Sequence, residues 1–410
     1  MVMEIYLVGG AVRDKLLNYP SKDRDYVVVG SSVDEMLQQG FEQVGKDFPV
    51  FLHPDTKAEY ALARTERKIG GGYKGFEVHA SPEVTLKEDL QRRDLTINAM
   101  AQRADELIDP YGGKVDLEAR ILRHVSPHFT EDPLRILRVA RFAARYAHLG
   151  FSVAPETMKL MQEMVSSGEL ALLTAERVWQ EISRSLGEQS PDIFFEVLRQ
   201  CDALAVILPE LDVLFGVPQP AKHHPEIDTG IHTMMVLRQA AKLSDSAVVR
   251  FAALVHDLGK GLTKADNWPS HHGHEEMGLT ALKKMATRLR IPNEFVDLAE
   301  KVMKYHTHCH RAFELKAATL LKVLEALGAF RQPQKLTSFL LACEADARGR
   351  KGFENKDYPQ ADWIKQAYFA ANEVDPKEFV KRGLVGKKIG DAIHKRRLEV
   401  IQQLKHARAD

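Results

Sequence analysis

Two aspartates one residue apart, Asp23 and Asp25, stand directly before the short apolar run Tyr26–Val29. In a strand, alternate side chains share a face, so both carboxylates point one way and Arg24 points the other way. Like charges this close repel each other unless a cation lies between them. A solvated turn is the ordinary explanation, since Asp is a common turn residue. The alternative is a divalent-metal site, which needs carboxylate oxygens grouped on one side.

A glycine pair precedes these aspartates, within the segment LVGGAVRD (residues 7–14). Glycine after a strand lets backbone amides approach a phosphate, and the start of the following helix offers partial positive charge. Taken alone, the segment also fits a tight strand-to-helix turn. A phosphate-binding turn beside a carboxylate pair is what metal-assisted nucleotidyl transfer requires, because that chemistry depends mainly on positioning and charge.

A second group of chemically capable residues lies far downstream, where His256 and Asp257 are adjacent after the apolar stretch VVRFAALV. This dipeptide is a weak signal by itself, but His232 lies upstream on a predicted helix and Asp346 lies downstream. Mixed imidazole and carboxylate ligands suit a transition metal better than Mg²⁺. Such a metal lowers the pKa of bound water and makes a nucleophile for phosphate esters. The alternative is a helical domain that has lost its metal.

The elements that position these residues change in character along the chain. In the first hundred or so residues, EIYLVGG, YVVVG, PVFLH and EYALA have strand patterns. From about Asp132 onward helical spacing predominates, as in RILRVARFAARYAHLG, ETMKLMQEMVSSG and AERVWQEISRSLG. The proline-rich segment FGVPQPAKHHPEID predicts a boundary near residue 220. With 410 residues, the chain is long enough for several domains.

Composition excludes several classes of protein. The three cysteines have no CxxC spacing, which argues against a disulfide framework or a zinc ribbon and fits a reducing cytoplasm. We find no signal-peptide pattern and no apolar run of membrane-spanning length, so we expect a cytoplasmic protein without a membrane segment. The net charge is zero, but six arginines lie between Arg120 and Arg145, and the chain after Pro376 is basic. Such surfaces bind phosphate backbones or are simply solvated helix faces.

Five motifs, in order, resemble those of the class II tRNA CCA-adding nucleotidyltransferases and bacterial poly(A) polymerases, which have a polymerase-β-type head. They are GGAVRD with DRD, RRDLTINAM (92–100), DPYGG (109–113), EDPLRILRVARF (131–142) and ERVWQE (176–181). The order His232, His256, Asp257, Asp346 is similar to the ligand order of HD-superfamily phosphohydrolases. The resemblance covers nearly the whole chain.

The resemblance implies an α+β protein with a polymerase-β-like head built on a mixed sheet, followed by an all-α neck, an HD domain and a tail. The ranges we expect are 1–140 for the nucleotidyltransferase head, 141–222 for the helical neck, 223–350 for the HD domain and 351–410 for the basic helical end. The glycine-rich segment IGGGYKGF (69–76) is expected to be a loop that moves when base specificity changes.

The resemblance also implies roles for individual residues. Asp23 and Asp25 would be the catalytic carboxylates that bind Mg²⁺, with Glu59 or Glu66 as candidates for a third carboxylate. His256 and Asp257 would be catalytic in the HD site. The residues expected to bind nucleotide are Gly10, Arg13, Arg93, Asn98, Asp132, Arg135, Arg138 and Arg141. The residues expected to bind Ni²⁺ or another transition metal are His232, His256, Asp257 and Asp346, with His274 and His306 as further ligands or phosphate contacts and Lys260 beside the phosphate.

The fourth motif indicates how bases could be selected. Asp132 and Arg135 are three residues apart, so they share one face of a helix. Cytosine and adenine each present an amino donor beside a ring-nitrogen acceptor, which an Asp acceptor and an Arg donor can match. Asp132 before Pro133 is also an ordinary helix N-cap. Arg135, Arg138, Arg141 and Arg145 form a stripe of like charge, whose repulsion a triphosphate or RNA would relieve. Glu176, Arg177 and Glu181 are expected to brace this helix.

The main reaction implied by the resemblance is template-free addition of CMP, CMP and AMP to the 3′ end of tRNA from CTP and ATP. The implied further activities are phosphatase, 2′-nucleotidase and 2′,3′-cyclic phosphodiesterase. Two alternatives stay open: a poly(A) polymerase, which shares the five motifs, and an HD phosphohydrolase whose head only binds RNA. We expect a monomer or a homodimer.

Overall fold

The computed structural model describes residues 2–20, 24–44, 50–68 and 76–409. Asp23 and residues 69–75 of the expected loop lie outside these ranges. Contacts divide the chain into two compact units, Met1–Ile207 and Leu208–Asp410. Among the described residues, the first unit contains the strands and nine of the α-helices, and the second unit is built from helices.

The strands of the described chain lie in the first unit. They are β1 (Glu4–Val8), β2 (Asp25–Val29), β3 (Glu42–Val44), β4 (Val50–Leu52), β5 (Glu59–Leu62), β6 (Arg64–Lys68), β7 (Phe76–Ala80), β8 (Ala101–Arg103), β9 (Glu106–Ile108), β10 (Ile121–Leu122) and β11 (Ser152–Val153). Seven of them form one sheet in the order β3-β4-β5-β2-β1-β8-β9. In this sheet β2 and β5 run parallel, whereas the other neighbours run antiparallel. The predicted mixed sheet is therefore confirmed.

Strand β2 lies in the middle of this sheet and is buried on both faces. Val27 packs in one apolar cluster with Leu90, and Val28 packs in another with Phe51. Successive side chains of a strand point to opposite faces, so only a continuous apolar run can fill both clusters. Asp25 is the first residue of the strand, so it lies at the end of β2, just before the apolar run.

The first unit also contains helices, which lie between the strands in the chain and continue after them. They are α1 (Gly10–Leu16), α2 (Val33–Gln38), α3 (Leu86–Gln91), α4 (Gly113–Ala119), α5 (Leu134–Tyr146), α6 (Pro155–Ser166), α7 (Ala175–Leu186), α8 (Pro191–Gln200) and α9 (Ala203–Ile207). The three helices predicted from periodicity correspond to α5, α6 and α7. One difference is β11, which pairs in parallel with β10 within the region where we expected only helices. Helix α5 packs against both α7 and α8, which explains why its residues are buried on most sides.

The second unit contains the remaining helices. They are α10 (Pro209–Asp212), α11 (Thr229–Leu243), α12 (Ala247–Val255), α13 (His274–Leu289), α14 (Asn293–His310), α15 (Ala317–Ala326), α16 (Pro333–Arg348), α17 (Pro359–Asn372), α18 (Pro376–Lys381) and α19 (Lys387–Ala409). Helices α11, α12, α14 and α16 pack against one another and carry the histidine site. In the described part of the chain, no helix combines the length and the apolar character needed to span a membrane.

Candidate functional site

The glycine pair forms the turn between β1 and α1. Gly9 has φ +64°, a left-handed conformation that favours glycine. A Cβ atom at Gly9 would lie 2.7 Å from Nη1 of Arg93, so the missing side chain lets this arginine approach the turn. Arg13 of α1 donates from Nη1 to Oδ1 of Asn98 at 2.5 Å. The structure therefore brings Gly10, Arg13, Arg93 and Asn98 together.

Asp25 lies at the N-terminal end of the central strand β2, beside this turn. Its Cα is paired with Val8 of β1 and with Glu59 of the parallel strand β5. Residues paired across neighbouring strands project from the same face, so Asp25 and Glu59 lie on one side of the sheet. Glu59 stays a candidate for a third carboxylate. Asp23 is outside the described residues, and the side chain of Glu66 is not described.

Two arginines of α5 form ion pairs with carboxylates of the same unit. Nε of Arg138 donates to Oδ2 of Asp94 at 2.8 Å, and Nε of Arg141 donates to Oε2 of Glu181 at 2.6 Å. Protein carboxylates therefore relieve the repulsion along the arginine stripe, whereas the sequence led us to expect that a triphosphate or RNA would do so. Glu181 lies on α7, so its ion pair with Arg141 joins α7 to α5. This is the bracing role that we expected for Glu181.

Asp132 and Arg135 are held by other partners. The guanidinium of Arg135 donates to the backbone carbonyl oxygens of His128 at 2.7 Å and of Arg92 at 2.6 Å, which fixes its plane. Oδ2 of Asp132 accepts from Nη2 of Arg177 at 2.7 Å, and Oδ1 accepts from the first backbone N–H of α5 at 3.1 Å. Asp132 therefore caps α5 through one oxygen and pairs with Arg177 through the other.

Asp94 joins two of the predicted nucleotide-binding residues. Its Oδ1 accepts from the backbone N–H of Leu95 at 2.8 Å and from Nδ2 of Asn98 at 2.9 Å, and its Oδ2 accepts from Arg138. Burial by itself would raise the pKa of Asp94, but the charge of Arg138 and the hydrogen bond from Asn98 outweigh burial and lower the pKa well below its usual range. Sequence reasoning missed this residue, although it lies inside the RRDLTINAM motif.

Asp89 has a comparable role on α3. Its carboxylate is buried and accepts from Nη2 of Arg92 at 2.7 Å and from Nη2 of Arg93 at 3.1 Å. Burial would raise the pKa of Asp89, but the two arginines keep it below its usual value. Asp89 thus holds both guanidinium groups, and that of Arg93 also lies against the glycine turn.

These side chains line one cavity of about 630 Å³. Asp25 and all eight predicted nucleotide-binding residues contribute to its wall, which contains ten arginines and three aspartates. An excess of guanidinium groups suits a triphosphate, because arginine binds phosphate oxygens through paired hydrogen bonds. The arginines beyond the predicted set are Arg64, Arg92, Arg145, Arg177 and Arg184.

The second site lies among α11, α12 and α16. Nε2 of His232 is 3.1 Å from Oδ1 of Asp346, and Nε2 of His256 is 3.7 Å from the same oxygen. Oδ2 of Asp257 is 3.0 Å from Nε2 of His256. All four side chains are buried. The structure therefore brings together the four residues that we predicted as metal ligands.

Two further histidines and a lysine surround Asp257. Nε2 of His306 is 3.7 Å and Nε2 of His274 is 3.5 Å from its Oδ1, and Nζ of Lys260 is 2.6 Å from its Oδ2. Burial lowers the pKa of His306 to about 3, although Asp257 acts in the opposite direction. His306 is consequently neutral near neutral pH, which is the protonation state that binds a metal.

The donor atoms of this site fit a bound cation. Nε2 of His256, Oδ1 of Asp257 and Nε2 of His274 are buried and make no well-oriented hydrogen bond with the described residues, although they lie close to one another. A buried polar atom without a partner costs about 1–3 kcal/mol, so three of them in one place indicate a missing ligand. Imidazole nitrogens combined with carboxylate oxygens favour a transition metal.

Comparison with known proteins defines the family of the chain. Residues 5–123 match the Poly A polymerase head domain, residues 150–215 match the family described as the probable RNA and SrmB-binding site of polymerase A, and residues 229–338 match the HD domain. The chain is 61% identical over 404 residues to the multifunctional CCA protein of Thioalkalivibrio sulfidiphilus, covering 98% of this chain and 99% of the relative. The chain belongs to the multifunctional CCA protein family. It is also 57% identical over 408 residues to the Hahella chejuensis member of that family, covering 99% of this chain and 97% of the relative.

Membership in the multifunctional CCA protein family confirms the family that the sequence motifs predicted: the chain is a nucleotidyltransferase with an HD domain. The nucleotidyltransferase and HD domains together imply dependence on divalent metal. The ends of the matched regions differ from the four domain ranges expected from the sequence, which stay predictions.

Solved structures confirm the predicted fold class. A CCA-adding enzyme in complex with ATP has a TM-score of 0.66 and is 20% identical, covering 97% of this chain and 86% of that chain. The Thermotoga maritima CCA-adding enzyme in complex with tRNA has a TM-score of 0.63 and is 21% identical, covering 100% of this chain and 92% of that chain. At such identities the likeness demonstrates a shared fold.

Sequence reasoning also missed residues around the HD site of this multifunctional CCA family member. Nε2 of His310 lies 2.6 Å from Oδ2 of Asp346, and Oη of Tyr358 lies 2.9 Å from Nδ1 of His310. Oε1 of Glu226 lies 2.9 Å from Nδ1 of His232. The available signals were the dense histidines of HTHCH and the segment HHPEID, which we took only as part of a domain joint.

Proposed function

We propose that this protein adds and repairs the 3′-terminal CCA of tRNA, transferring CMP, CMP and AMP from CTP and ATP without a nucleic-acid template and releasing pyrophosphate. The observation that carries the proposal is the single cavity that contains Asp25, the eight predicted nucleotide-binding residues and ten arginines. Relatives named multifunctional CCA proteins support it, as do CCA-adding enzymes solved with ATP, with CTP and with tRNA.

The side chains of the cavity divide the work of this reaction. Arg93, Arg138 and Arg141 bind the triphosphate, Gly10 and Arg13 hold the incoming nucleotide, and Asn98 lies near its sugar. Asp23 and Asp25 would hold Mg²⁺, which aligns the attacking hydroxyl with the triphosphate and neutralises charge when it is bound. Because phosphoryl-type transfer needs mainly positioning and charge, arginines held in place by ion pairs and a carboxylate pair for Mg²⁺ supply what the reaction asks of the protein.

Base selection is assigned to Asp132 and Arg135. The carboxylate accepts from the amino group that cytosine and adenine share, and the guanidinium donates to the neighbouring ring nitrogen. Guanine and uracil present the opposite order of donor and acceptor. The contacts that fix both side chains support this assignment, since a template-free reader must keep its donor and acceptor in place.

The HD unit, which is the second unit with its HD domain, is assigned phosphatase, 2′-nucleotidase and 2′,3′-cyclic phosphodiesterase activity. His232, His256, Asp257 and Asp346 would hold Ni²⁺ or another transition metal, which activates water for attack on a phosphate ester when it is bound. Lys260 carries a positive charge 2.6 Å from Asp257, so it can bind a phosphate oxygen beside the metal. The unpartnered buried atoms of this site support the assignment.

Several further predictions belong to the same proposal. The domains would be residues 1–140, 141–222, 223–350 and 351–410, and the partners would be tRNA, ATP and CTP. The protein would work in the cytoplasm as a monomer or a homodimer.

One assay tests the main activity. Purified protein is incubated with Mg²⁺, a tRNA that lacks its 3′ CCA, and CTP and ATP separately or together. Addition that stops after C, C and A supports the proposal. An unlimited A tail identifies a poly(A) polymerase, and no addition indicates a head that only binds RNA.

Matched variants test whether the two sites act independently. Asp25→Ala is expected to abolish nucleotide addition and to spare phosphatase activity, and His256→Ala is expected to do the reverse. Asp105→Ala and His272→Ala replace exposed residues of the same two types and should leave both activities unchanged. If a folded Asp25→Ala or His256→Ala variant lost both activities, the two-site assignment would be wrong.

A further inference from the structure

Both ring nitrogens of His232 have oxygen neighbours in the structure. Nε2 faces Oδ1 of Asp346 at 3.1 Å. Nδ1, on the other side of the ring, lies 2.9 Å from Oε1 of Glu226 and 3.2 Å from the backbone carbonyl oxygen of Gly349. The ring is completely buried, so these neighbours determine its chemistry.

The neighbours of Nδ1 determine which nitrogen carries the hydrogen. A carbonyl oxygen can only accept, so the nitrogen between it and a carboxylate must be an N–H donor. In neutral imidazole the other nitrogen then has the lone pair. For His232 that nitrogen is Nε2, which faces Oδ1 of Asp346 at 3.1 Å; an ion held between the ring and this carboxylate would take its lone pair.

The two oxygens on the Nδ1 side are themselves held in place. The side chain of Glu226 is 3% exposed: its Oε1 lies 3.2 Å from Nδ1 of His224, and its Oε2 accepts from the backbone N–H of Lys351 at 3.2 Å. The carbonyl of Gly349 is fixed by close packing, since a Cβ atom on this residue would lie 2.4 Å from Cγ2 of Val236.

We propose that Glu226 is a positioning residue for the metal ligand His232, and that His224 orients Glu226. The inference rests on the proposed metal site of the HD unit and adds an outer group to it. Hydrogen-bonded carboxylates of this kind fix the tautomer and the ring orientation of metal-binding histidines and increase their basicity. The segment HHPEID, beyond its place in a domain joint, thereby supplies part of the site.

The triad His224, Glu226 and His232 has donor atoms within 4.8 Å of one another, so a separate metal centre must be weighed against this role. The carbonyl of Gly349, 3.2 Å from Nδ1 of His232, favours the orienting role. It accepts a hydrogen bond when Nδ1 carries the hydrogen, and a protonated nitrogen has no lone pair for a metal. We therefore assign the triad to orienting a ligand, and the number of ions bound at saturation tests this assignment.

Metal titration tests the proposal directly. The full chain is freed of metal and titrated with Co²⁺ in excess Mg²⁺, which occupies oxygen-only sites in preference to imidazole sites. Glu226→Ala is expected to raise the Kd for Co²⁺ about 10- to 100-fold. At saturation, the number of bound ions and the visible absorption of Co²⁺ should equal those of the wild type. Glu226→Gln keeps an acceptor oxygen and is expected to recover most of the affinity.

Glu354→Ala is the matched control, because Glu354 also accepts a backbone hydrogen bond, from Gly352 at 3.0 Å. This variant should bind Co²⁺ as the wild type does. Wild-type affinity in Glu226→Ala overturns the proposal. A changed Co²⁺ spectrum or fewer bound ions at saturation also overturns it, because either result identifies Glu226 as a direct ligand.

Two further variants make the outcome unambiguous. His256→Ala removes a proposed ligand; if it binds Co²⁺ like the wild type, the proposed metal site itself fails and this inference fails with it. If His256→Ala loses binding and Glu226→Ala does not, only the positioning role fails. Should Glu226→Ala not fold, His224→Ala replaces it: a Kd raised several-fold supports the proposal, and an unchanged Kd overturns it.

Discussion

The ion pair between Arg141 and Glu181 offers a quantitative test of how the nucleotide cavity is held together. Nε of Arg141 lies 2.6 Å from Oε2 of Glu181, and the two side chains are 9% and 3% exposed. Glu181→Leu would leave a nearly buried guanidinium without this carboxylate. Removing one partner of a buried pair costs about 3–5 kcal/mol, because the remaining charge stays desolvated.

The position of the pair places the expected loss near the lower end of that range. Arg141 lines the cavity, so water can reach part of its guanidinium once the carboxylate is gone. Glu181 also lies 4.0 Å from Arg138 and 3.9 Å from the half-exposed Arg184. Such partly exposed pairs contribute about 0–1 kcal/mol each, so losing them adds little to the loss of stability. We therefore expect Glu181→Leu to lower the free energy of unfolding of the first unit by about 3 kcal/mol.

Urea unfolding measures this loss through circular dichroism and the fluorescence of Trp179, which lies two residues before Glu181 on α7. Glu163→Leu is the control, because Glu163 forms an exposed helical pair with Lys159 at 4.0 Å and should change stability by less than about 0.5 kcal/mol. The double variant Glu181→Leu with Arg141→Met removes both charges and should recover much of the loss. A Glu181→Leu effect no larger than that of Glu163→Leu would refute the reasoning.

Two other predictions concern buried groups in each unit. Because the folded-state pKa of Asp94 is lowered, its carboxylate stabilises the fold above its unfolded pKa of about 4, and this contribution is lost as the pH falls through the folded pKa. Asp94→Asn should therefore lower the free energy of unfolding by about 1–3 kcal/mol at pH 7, and the difference from the wild type should shrink at pH 3; a constant difference in urea unfolding contradicts this. Gly259→Ala would place a Cβ atom 1.8 Å from the carbonyl oxygen of His274, so we expect it to push α13 away, to destabilise the second unit by at least about 1–3 kcal/mol and to weaken Co²⁺ binding. Gly390→Ala, in an open part of α19, is the control and should be neutral or stabilising; equal behaviour of the two variants would contradict the packing argument.

Local chemistry made much of the fold predictable. The apolar run after Asp25 predicts a strand buried on both faces, and the spacing of RILRVARFAARY predicts the helix that became α5. The glycine pair predicts a tight strand-to-helix turn, and Gly9 adopts the left-handed conformation there. These features depend on neighbours within a few residues, so they can be recognised without knowing where the rest of the chain lies.

The partners of charged residues could not be predicted in the same way. Arg141 pairs with a residue 40 positions later, and Arg138 pairs with a residue 44 positions earlier. The spacing of the arginines in the sequence is the same whether their counter-charges come from the protein or from a ligand. The sequence pattern therefore cannot distinguish the two arrangements.

The amino-acid order by itself determined which side chains could do chemistry here: carboxylates at a strand edge, glycines at a turn, and histidines and aspartates in the order of a metal-ligand set. Only the tertiary structure decided which carboxylate neutralises which arginine, and that Glu226 lies behind His232 while His310 lies behind Asp346. The physical reason is the separation along the chain over which each kind of interaction acts. Backbone geometry and side-chain alternation act between near neighbours, whereas hydrogen bonds and ion pairs between buried groups depend on packing that joins distant segments.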